Sequence, residues 1–317
     1  MSRARFRHVY GPVASRRLGR SLGVDLVPFK TCSYDCIYCQ LGRTTHKTTA
    51  RREYAPIEEI LVELREKLPQ TPKLDYISLA GSGEPTLHAG IGEVIRRIKD
   101  ITSLPVAVLT NGSLLWMPEV RDALLPADLV LPSLDAGSDH LFHAINRPAW
   151  EIDFAHMVGG LAEFTHHFGK PVWLEVFLLA GINDTPSEIA AIAAHVNHIR
   201  PTRVQLNTVS RPPCKEFARP VQVERLRSFV PLFGATVDVI AGELSGGTST
   251  GPQGMVDDGA ILALLDRRPC TAEDIATGLG LHPHEVAKRL VALLSTRTVK
   301  ETRLGERRFY TVTGARS

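Results

Sequence analysis

Short apolar runs alternate along most of this chain with longer segments whose apolar residues recur at helical spacing, and that alternation constrains the fold most. Strand-like runs lie at Tyr76–Ala80, Pro105–Thr110, Asp128–Leu134, Val172–Leu179 and Arg203–Thr208, with helical patterns near 91–101, 118–125, 138–145, 151–168 and 186–199. An earlier run, Ser21–Pro28, carries Leu22, Val24, Leu26 and Val27 and makes a sixth strand. Pro56 opens a helix to about Leu68, with Ile57, Ile60, Leu61 and Leu64 on one face. A helix between two strands carries the chain back to the same end of the sheet, so neighbouring strands run parallel and helices cover the faces. The class is therefore α/β, either doubly wound or curled into a barrel. Both place a site at the C-terminal ends of the strands. A helix at 220–234 and a short run at Thr236–Ile240 close this domain.

The alternation stops at both ends. Residues 1–20 read as a basic arm with Arg3, Arg5, Arg7, Arg16, Arg17 and Arg20, placing the main domain at 21–240. Residues 241–254 are rich in Gly, Ser and Thr without an apolar period, a linker to a small domain at 255–317. There, a helix at Asp257–Arg267 precedes Thr271, an N-cap with an acidic partner at Asp274. A second amphipathic helix follows at His284–Leu294, then a hairpin of Thr298–Arg303 and Arg307–Thr313. That order resembles a winged helix, a module that docks DNA, RNA or protein, or serves only as a packing domain.

Charge is uneven. Residues 1–52 carry a net +9, residues 288–317 a net +6, and the segment between them −12. Basic ends on an acidic body suit a partner bearing phosphates, or form a solvated arm and ordinary surface. The longest apolar runs are too short to span a bilayer, and the arginine-rich start lacks the apolar core of a signal peptide. The five cysteines make no even disulfide set, which points to a reducing cytoplasm.

Three of those cysteines, Cys32, Cys36 and Cys39, fall within eight residues as C-x3-C-x2-C, directly after the first strand. Three thiolates on one loop suit three irons of a four-iron cluster and leave one iron open. A zinc site would need a fourth ligand, for which His46 is near in sequence. Free core thiols are the plainer alternative, but Tyr34, Asp35 and Gln40 make the stretch polar.

The spacing, with Tyr38 before the last cysteine, resembles that of the radical S-adenosylmethionine (SAM) superfamily. Gly81-Ser82-Gly83-Glu84-Pro85-Thr86, after the second strand, is similar to that family's glycine–glutamate–proline element, with Ser82 in place of a glycine. The resemblance implies a partial (β/α)6 barrel, a [4Fe-4S] cluster on Cys32, Cys36 and Cys39, and SAM chelated by the open iron. It also implies reduction by a low-potential donor of flavodoxin or ferredoxin type, releasing a 5′-deoxyadenosyl radical. Gly83 and Glu84 would grip the SAM amino group, and Tyr38 would meet the adenine. Polar strand ends extend the set: Asn111 after strand three, then Ser133 and Asp135 as ribose partners. Gly181, Ile182 and Leu206 would form an adenine wall. Each of these is equally a turn or cap residue on its own.

The stretches at 83–87, 133–136 and 145–148 are most similar to the wyosine-synthase branch, which modifies transfer RNA. The chain departs from that branch in having no second cysteine group before Cys32. Nor does a pyruvate-binding lysine stand out, though Lys30 and Lys215 are present. Arg147 would clamp a carboxylate or phosphate, or neutralise Glu151 or Asp153. Cys214, just past strand six, would quench a radical, ligate a second centre or be incidental. His166-His167 reads as surface, and there is no Walker-type loop, serine-triad signature or H-E-x-x-H. The expected activity is radical chemistry on RNA. The rivals are the same chemistry on a metabolite or peptide, and a non-catalytic iron–sulfur sensor that binds DNA.

Overall fold

The computed structural model of the chain describes residues 6–71, 73–240 and 258–314. It opens with a hairpin of β1 (Val9–Ser15) and β2 (Gly19–Val24). Two short strands, β3 (Thr31–Cys32) and β4 (His46–Lys47), then pair beside the cysteine loop. After α1 (Ile57–Lys67) come β5 (Tyr76–Leu79), α2 (Ile91–Ile101), β6 (Val106–Leu109), α3 (Pro118–Leu124) and β7 (Leu129–Leu131). The second half runs α4 (Asp139–Ile145), α5 (Phe154–Phe168), β8 (Trp173–Leu178), α6 (Pro186–Ile199), β9 (Arg203–Thr208), α7 (Val223–Phe229) and β10 (Val237–Val239).

The sheets have the orders β1-β2-β5-β6-β7 and β10-β9-β8. Parallel bridges Val130↔Val172 and Ser133↔Glu175 join β7 to β8, so a curved parallel sheet runs from β2 to β10. This is a partial (β/α)6 barrel extended by one strand. Its core fills the space between sheet and helices, with Ile91, Val94, Ile95 and Ile98 of α2 wholly buried against it. The open side lies between β1 and β10. There the β1–β2 turn reaches across, Arg16 Nη1 donating to Ile240 O at 2.6 Å.

Element boundaries move for local reasons. The stretch read as a basic arm contains β1, an antiparallel edge strand on β2, so the sheet begins at Val9. Pro132 ends β7 early because it cannot donate to the ladder. Asp153 accepts from His156 N and so stands outside α5 as its cap. Pro231 turns the end of the expected 220–234 helix into a short 3-10 segment, Val230–Leu232.

The last described segment holds α8 (Asp258–Arg267), α9 (Ala272–Leu279), α10 (Pro283–Ser295), β11 (Val299–Leu304) and β12 (Arg307–Val312). Thr271 and Asp274 form a capping box on α9. Ile261, Leu265, Ile275, Val286, Leu290 and Val299 make a separate small core. This unit is fixed to the barrel at several places, through α9 against β1, through Arg211 to Pro269 O and Asp274, and through a charged cluster at Arg267. Arg267 donates to Asp25, Ser82 and the Arg7 carbonyl, and its guanidinium lies 5.1 Å from the Tyr10 ring centroid. The expected 241–254 linker lies outside the described residues.

Candidate active site

The cysteine loop is fixed from two sides by backbone bonds. Asp35 N and Ile37 N donate to Asn146 O and Ile145 O, and Ala149 N donates to Ser33 O, so the loop runs along residues 145–149. On the other side Glu84 N donates to Thr31 O at 3.1 Å. A Cβ at Gly83 would stand 1.8 Å from that same oxygen, so only glycine allows this approach. The two sequence elements that carry the resemblance therefore touch.

Each thiol receives a side-chain hydrogen, and Cys32 also one from the Tyr34 backbone N–H. Lys30 Nζ donates to Cys39 Sγ at 3.2 Å, Asn146 Nδ2 to Cys36 Sγ at 3.5 Å and Asn111 Nδ2 to Cys32 Sγ at 3.6 Å. Burial drives the Cys32 thiol up to about 12 and Cys36 well above its ordinary range. Burial alone would lower the Lys30 ammonium, but Cys39, with Cys32 and Cys36, more than reverses this and holds it high. Donors aimed at sulfur favour thiolate ligation, and they fit a cluster in which each sulfur holds its own iron. A single ion fits poorly. Among the described residues no three His, Cys, Asp or Glu side chains converge on one ion, and His46 is exposed.

Two buried carboxylates organise the polar floor. Glu84 Oε1 accepts from Thr86 N, Thr86 Oγ1 and Thr110 Oγ1, and Oε2 accepts from Asn111 N at 2.7 Å. Burial raises its pKa against those donors. Asp135 Oδ2 accepts from Tyr38 OH and from Asn146 Nδ2 at 2.7 Å, and Oδ1 accepts from Phe177 N at 3.2 Å. Burial pushes Asp135 up to about 6. Both groups are braced inside the protein, and Asp135 serves as a hub beneath Tyr38. Asn146 Oδ1 is buried without a partner among the described residues, an acceptor beside Cys36 for a bound group.

The other expected residues divide. Tyr38 stacks on Phe177 with ring centroids 4.0 Å apart. Asn111 also donates to Ser33 Oγ at 2.9 Å, and Ser33 meets Ser113 Oγ at 2.6 Å. Ser133 Oγ donates to Glu175 Oε2 at 3.4 Å on the inner face of the sheet. Arg147 follows Asn146 with a left-handed φ of 48°, and no ion pair to Glu151 or Asp153 is found among the described residues. Cys214 is half-buried on a loop whose next residue, Lys215, donates its N–H to Ile37 O, which seats it against the cysteine loop. Ile182 and Tyr38 both pack against the small cluster of Ile37, Ile145, Leu179, Val209 and Ala218. Gly181 is different, an exposed turn residue with φ of 73° whose N–H donates to Asp184 Oδ1. Leu206 is buried in the main core, with its carbonyl taken by Ile240 N.

Asn146 lies within the 145–148 stretch and Lys30 is named as a lysine, but neither is read from sequence as a partner of the cysteine sulfurs, and Glu175 carries no sequence signal of its own. Glu175 accepts from Asn207 Nδ2 at 2.8 Å and from Arg17 Nη1 at 3.0 Å, which brings the hairpin turn into the barrel mouth. Arg16, Arg17, Arg211 and Arg268 line a cleft of about 260 Å³ that reaches Tyr38 and Cys39.

A partial barrel with three thiols on the loop after its first parallel strand, beside a glycine–glutamate–proline turn, defines a class. The chain belongs to the radical SAM superfamily, whose family model matches residues 26–195. It is a radical SAM enzyme. Over 306 residues it is 32% identical to a UPF0026 protein of Helicobacter pylori, covering 95% of this chain and 96% of that one. It is 42% identical to a Brachyspira hyodysenteriae protein named GTPase Obg, covering 95% of this chain but only 44% of that protein. A probable dual-specificity RNA methyltransferase RlmN of Symbiobacterium thermophilum is 26% identical, over 66% of this chain and 57% of that one.

Among solved structures, a radical SAM methyltransferase from Sphaerobacter thermophilus matches with a TM-score of 0.54 at 20% identity, over 69% of this chain and 65% of that one. TYW1 with a lysine–pyruvate adduct matches with a TM-score of 0.51 at 16% identity, over 70% and 74%. At those identities the likeness is one of fold. No helix among the described residues is long and apolar enough to cross a membrane.

Proposed function

We propose that this enzyme modifies RNA, transfer RNA being the first candidate, using a [4Fe-4S] cluster on Cys32, Cys36 and Cys39 together with SAM. Bound there, the two cofactors supply a carbon-centred radical able to take hydrogen from an unactivated carbon of the substrate. The chain's own residues bind and orient. Asn111, Asn146 and Lys30 hold the three sulfurs, and Glu84 keeps the glycine–glutamate–proline turn against the end of β6. Asp135 fixes Tyr38, Arg147 stands next to Asn146, and Cys214 lies on the loop after β9 that bonds to the cysteine loop through Lys215 N–H. An outside low-potential protein of flavodoxin or ferredoxin type would deliver the electron.

The observation that carries the RNA reading is the arginine-lined cleft, which opens beside Cys39 and so puts phosphate-binding side chains next to the reacting centre. The family relation to proteins named as RNA methyltransferases supports it. The unit at 258–314 (three helices and a hairpin) resembles a winged helix and would extend the RNA-contacting surface.

The test is anaerobic. Protein reconstituted with iron and sulfide receives dithionite and SAM, and 5′-deoxyadenosine is measured by chromatography and mass spectrometry. Product is expected from the intact chain and not from Cys36→Ala, with transfer RNA then gaining a mass change. Absence of 5′-deoxyadenosine at four irons per chain overturns the reading.

A further inference from the structure

We infer that the cleft beside Cys39 is a binding site for a phosphoryl group, completed by Arg268 from the C-terminal unit. Among the described residues its lining contains four arginines and a single carboxylate, Glu175. The arginines come from three separate parts of the chain. Arg16 and Arg17 occupy the β1–β2 turn, Arg211 follows β9, and Arg268 follows α8. Their partners differ. Arg17 pairs with Glu175 at 3.0 Å, and Arg211 donates to Pro269 O and pairs with Asp274 at 3.3 Å. Arg16 donates to Ile240 O and, at 2.9 Å, to Ser210 Oγ. The Arg268 guanidinium is half-buried and has no side-chain hydrogen bond or ion pair among the described residues; Asp274, already paired with Arg211, acts on it only at longer range.

A guanidinium held part-way out of water among other guanidinia is unfavourable unless an anion joins it. The neighbouring groups feel this crowding. Burial, then Arg268, lowers Arg211 to about 10, and burial, then Arg17, lowers Arg16. The matching ligand is compact, carries up to two negative charges and presents several oxygens to forked donors, which is the description of a phosphate. Arg267 explains how Arg268 comes to be there. These consecutive residues at the end of α8 diverge, Arg267 locking into Asp25 and Ser82 while Arg268 faces the cleft. The C-terminal unit is thus part of the substrate site and not an appendage to it. The inference rests on the RNA reading only for the source of the phosphate, a phosphodiester of a nucleic acid or a free phosphate monoester.

The experiment uses the full chain and inorganic phosphate as the probe, with binding followed by equilibrium dialysis. Arg268→Gln should weaken phosphate at least tenfold, and Arg268→Lys less, since it keeps the charge but loses the fork. Arg96→Gln, an exposed arginine on α2, should bind as the parent does. Thermal melts of all three serve as the folding control. Parent-like phosphate binding by Arg268→Gln, or no binding by the parent at millimolar phosphate, overturns the site. The source is read by displacement. A 5′-hydroxyl RNA hairpin that displaces phosphate identifies an internal phosphodiester. Displacement only by nucleoside monophosphate keeps the site and removes the RNA reading, so the two can fail separately.

Discussion

Replacing Gly83 by alanine should part the cysteine strand from the glycine–glutamate–proline turn. The new Cβ would stand 1.8 Å from Thr31 O and 2.8 Å from the Thr31 carbonyl carbon. Both are backbone atoms, so no rotamer change relieves the clash and the two segments must separate. Separation breaks the Glu84 N–H bond to Thr31 O, worth about 1 kcal/mol, and the misfit adds about 1–3 kcal/mol. The expected loss is therefore about 2–4 kcal/mol. Gly159→Ala provides a contrast of opposite sign. That glycine is exposed on α5 with no atom within 4 Å of the added carbon, so alanine should stabilise by about 0.5–1 kcal/mol through helix propensity. Urea unfolding followed by circular dichroism reads both. Iron per chain after reconstitution should fall in Gly83→Ala and hold in Gly159→Ala. A Gly83→Ala protein with the parent's midpoint and full iron content would refute the claim that this contact builds the site.

Three further outcomes follow from the same geometry. Arg267→Ala leaves the buried Asp25 with Ser82 as its remaining side-chain partner, and the loss of stability should be about 3 kcal/mol; a double variant with Asp25→Asn should lose less than the sum in a denaturation cycle. Asp135, raised from 3.8 to about 6, binds its proton more tightly folded than unfolded. Its contribution is thus fully present below about pH 4 and lost as pH rises through about 6, an amount of about 3 kcal/mol for two units. Relative to the parent, Asp135→Asn should gain stability by that amount between pH 4 and 7 in parallel urea titrations, and a pH-independent difference would contradict the assignment. Arg17→Gln should weaken RNA binding and make the plot of log affinity against log salt shallower by about one, whereas an unchanged slope would place the phosphates elsewhere.

The parallel barrel was legible because its two periods are written in the apolar residues. Strand β9 and helices α2 and α6 fall where the spacing puts them, and the errors cluster at prolines and caps: Pro132, Asp153 and Pro231 each act through one backbone hydrogen bond, which an apolar pattern does not encode. The cysteine loop was legible for a different reason, since ligand spacing is a chemical signal independent of periodicity. Asp135 shows the limit of such reading. A polar residue at a strand end marks the site, but whether its oxygens face a ligand or the protein depends on Tyr38 and Asn146, which approach from separate loops.

Charge was the least transparent property, and the reason is geometric. The basic segments are 1–52 and 288–317, yet Lys288, Arg297 and Arg308 of the second are exposed on the C-terminal unit. The positive cleft takes Arg211 and Arg268 from the segment that is acidic on average. Averages over sequence fail here because β1 is an edge strand beside the open side of the barrel. Its turn must meet whatever follows β10, and the C-terminal unit then docks on the same edge through Arg267 and Asp25. Residues more than two hundred positions apart, Arg16 and Ile240, are joined directly across that gap. An arginine cluster assembled from both sides of the opening is thus a consequence of leaving the barrel unclosed. Closing the gap with further β-strand pairing would have removed the cleft beside Cys39.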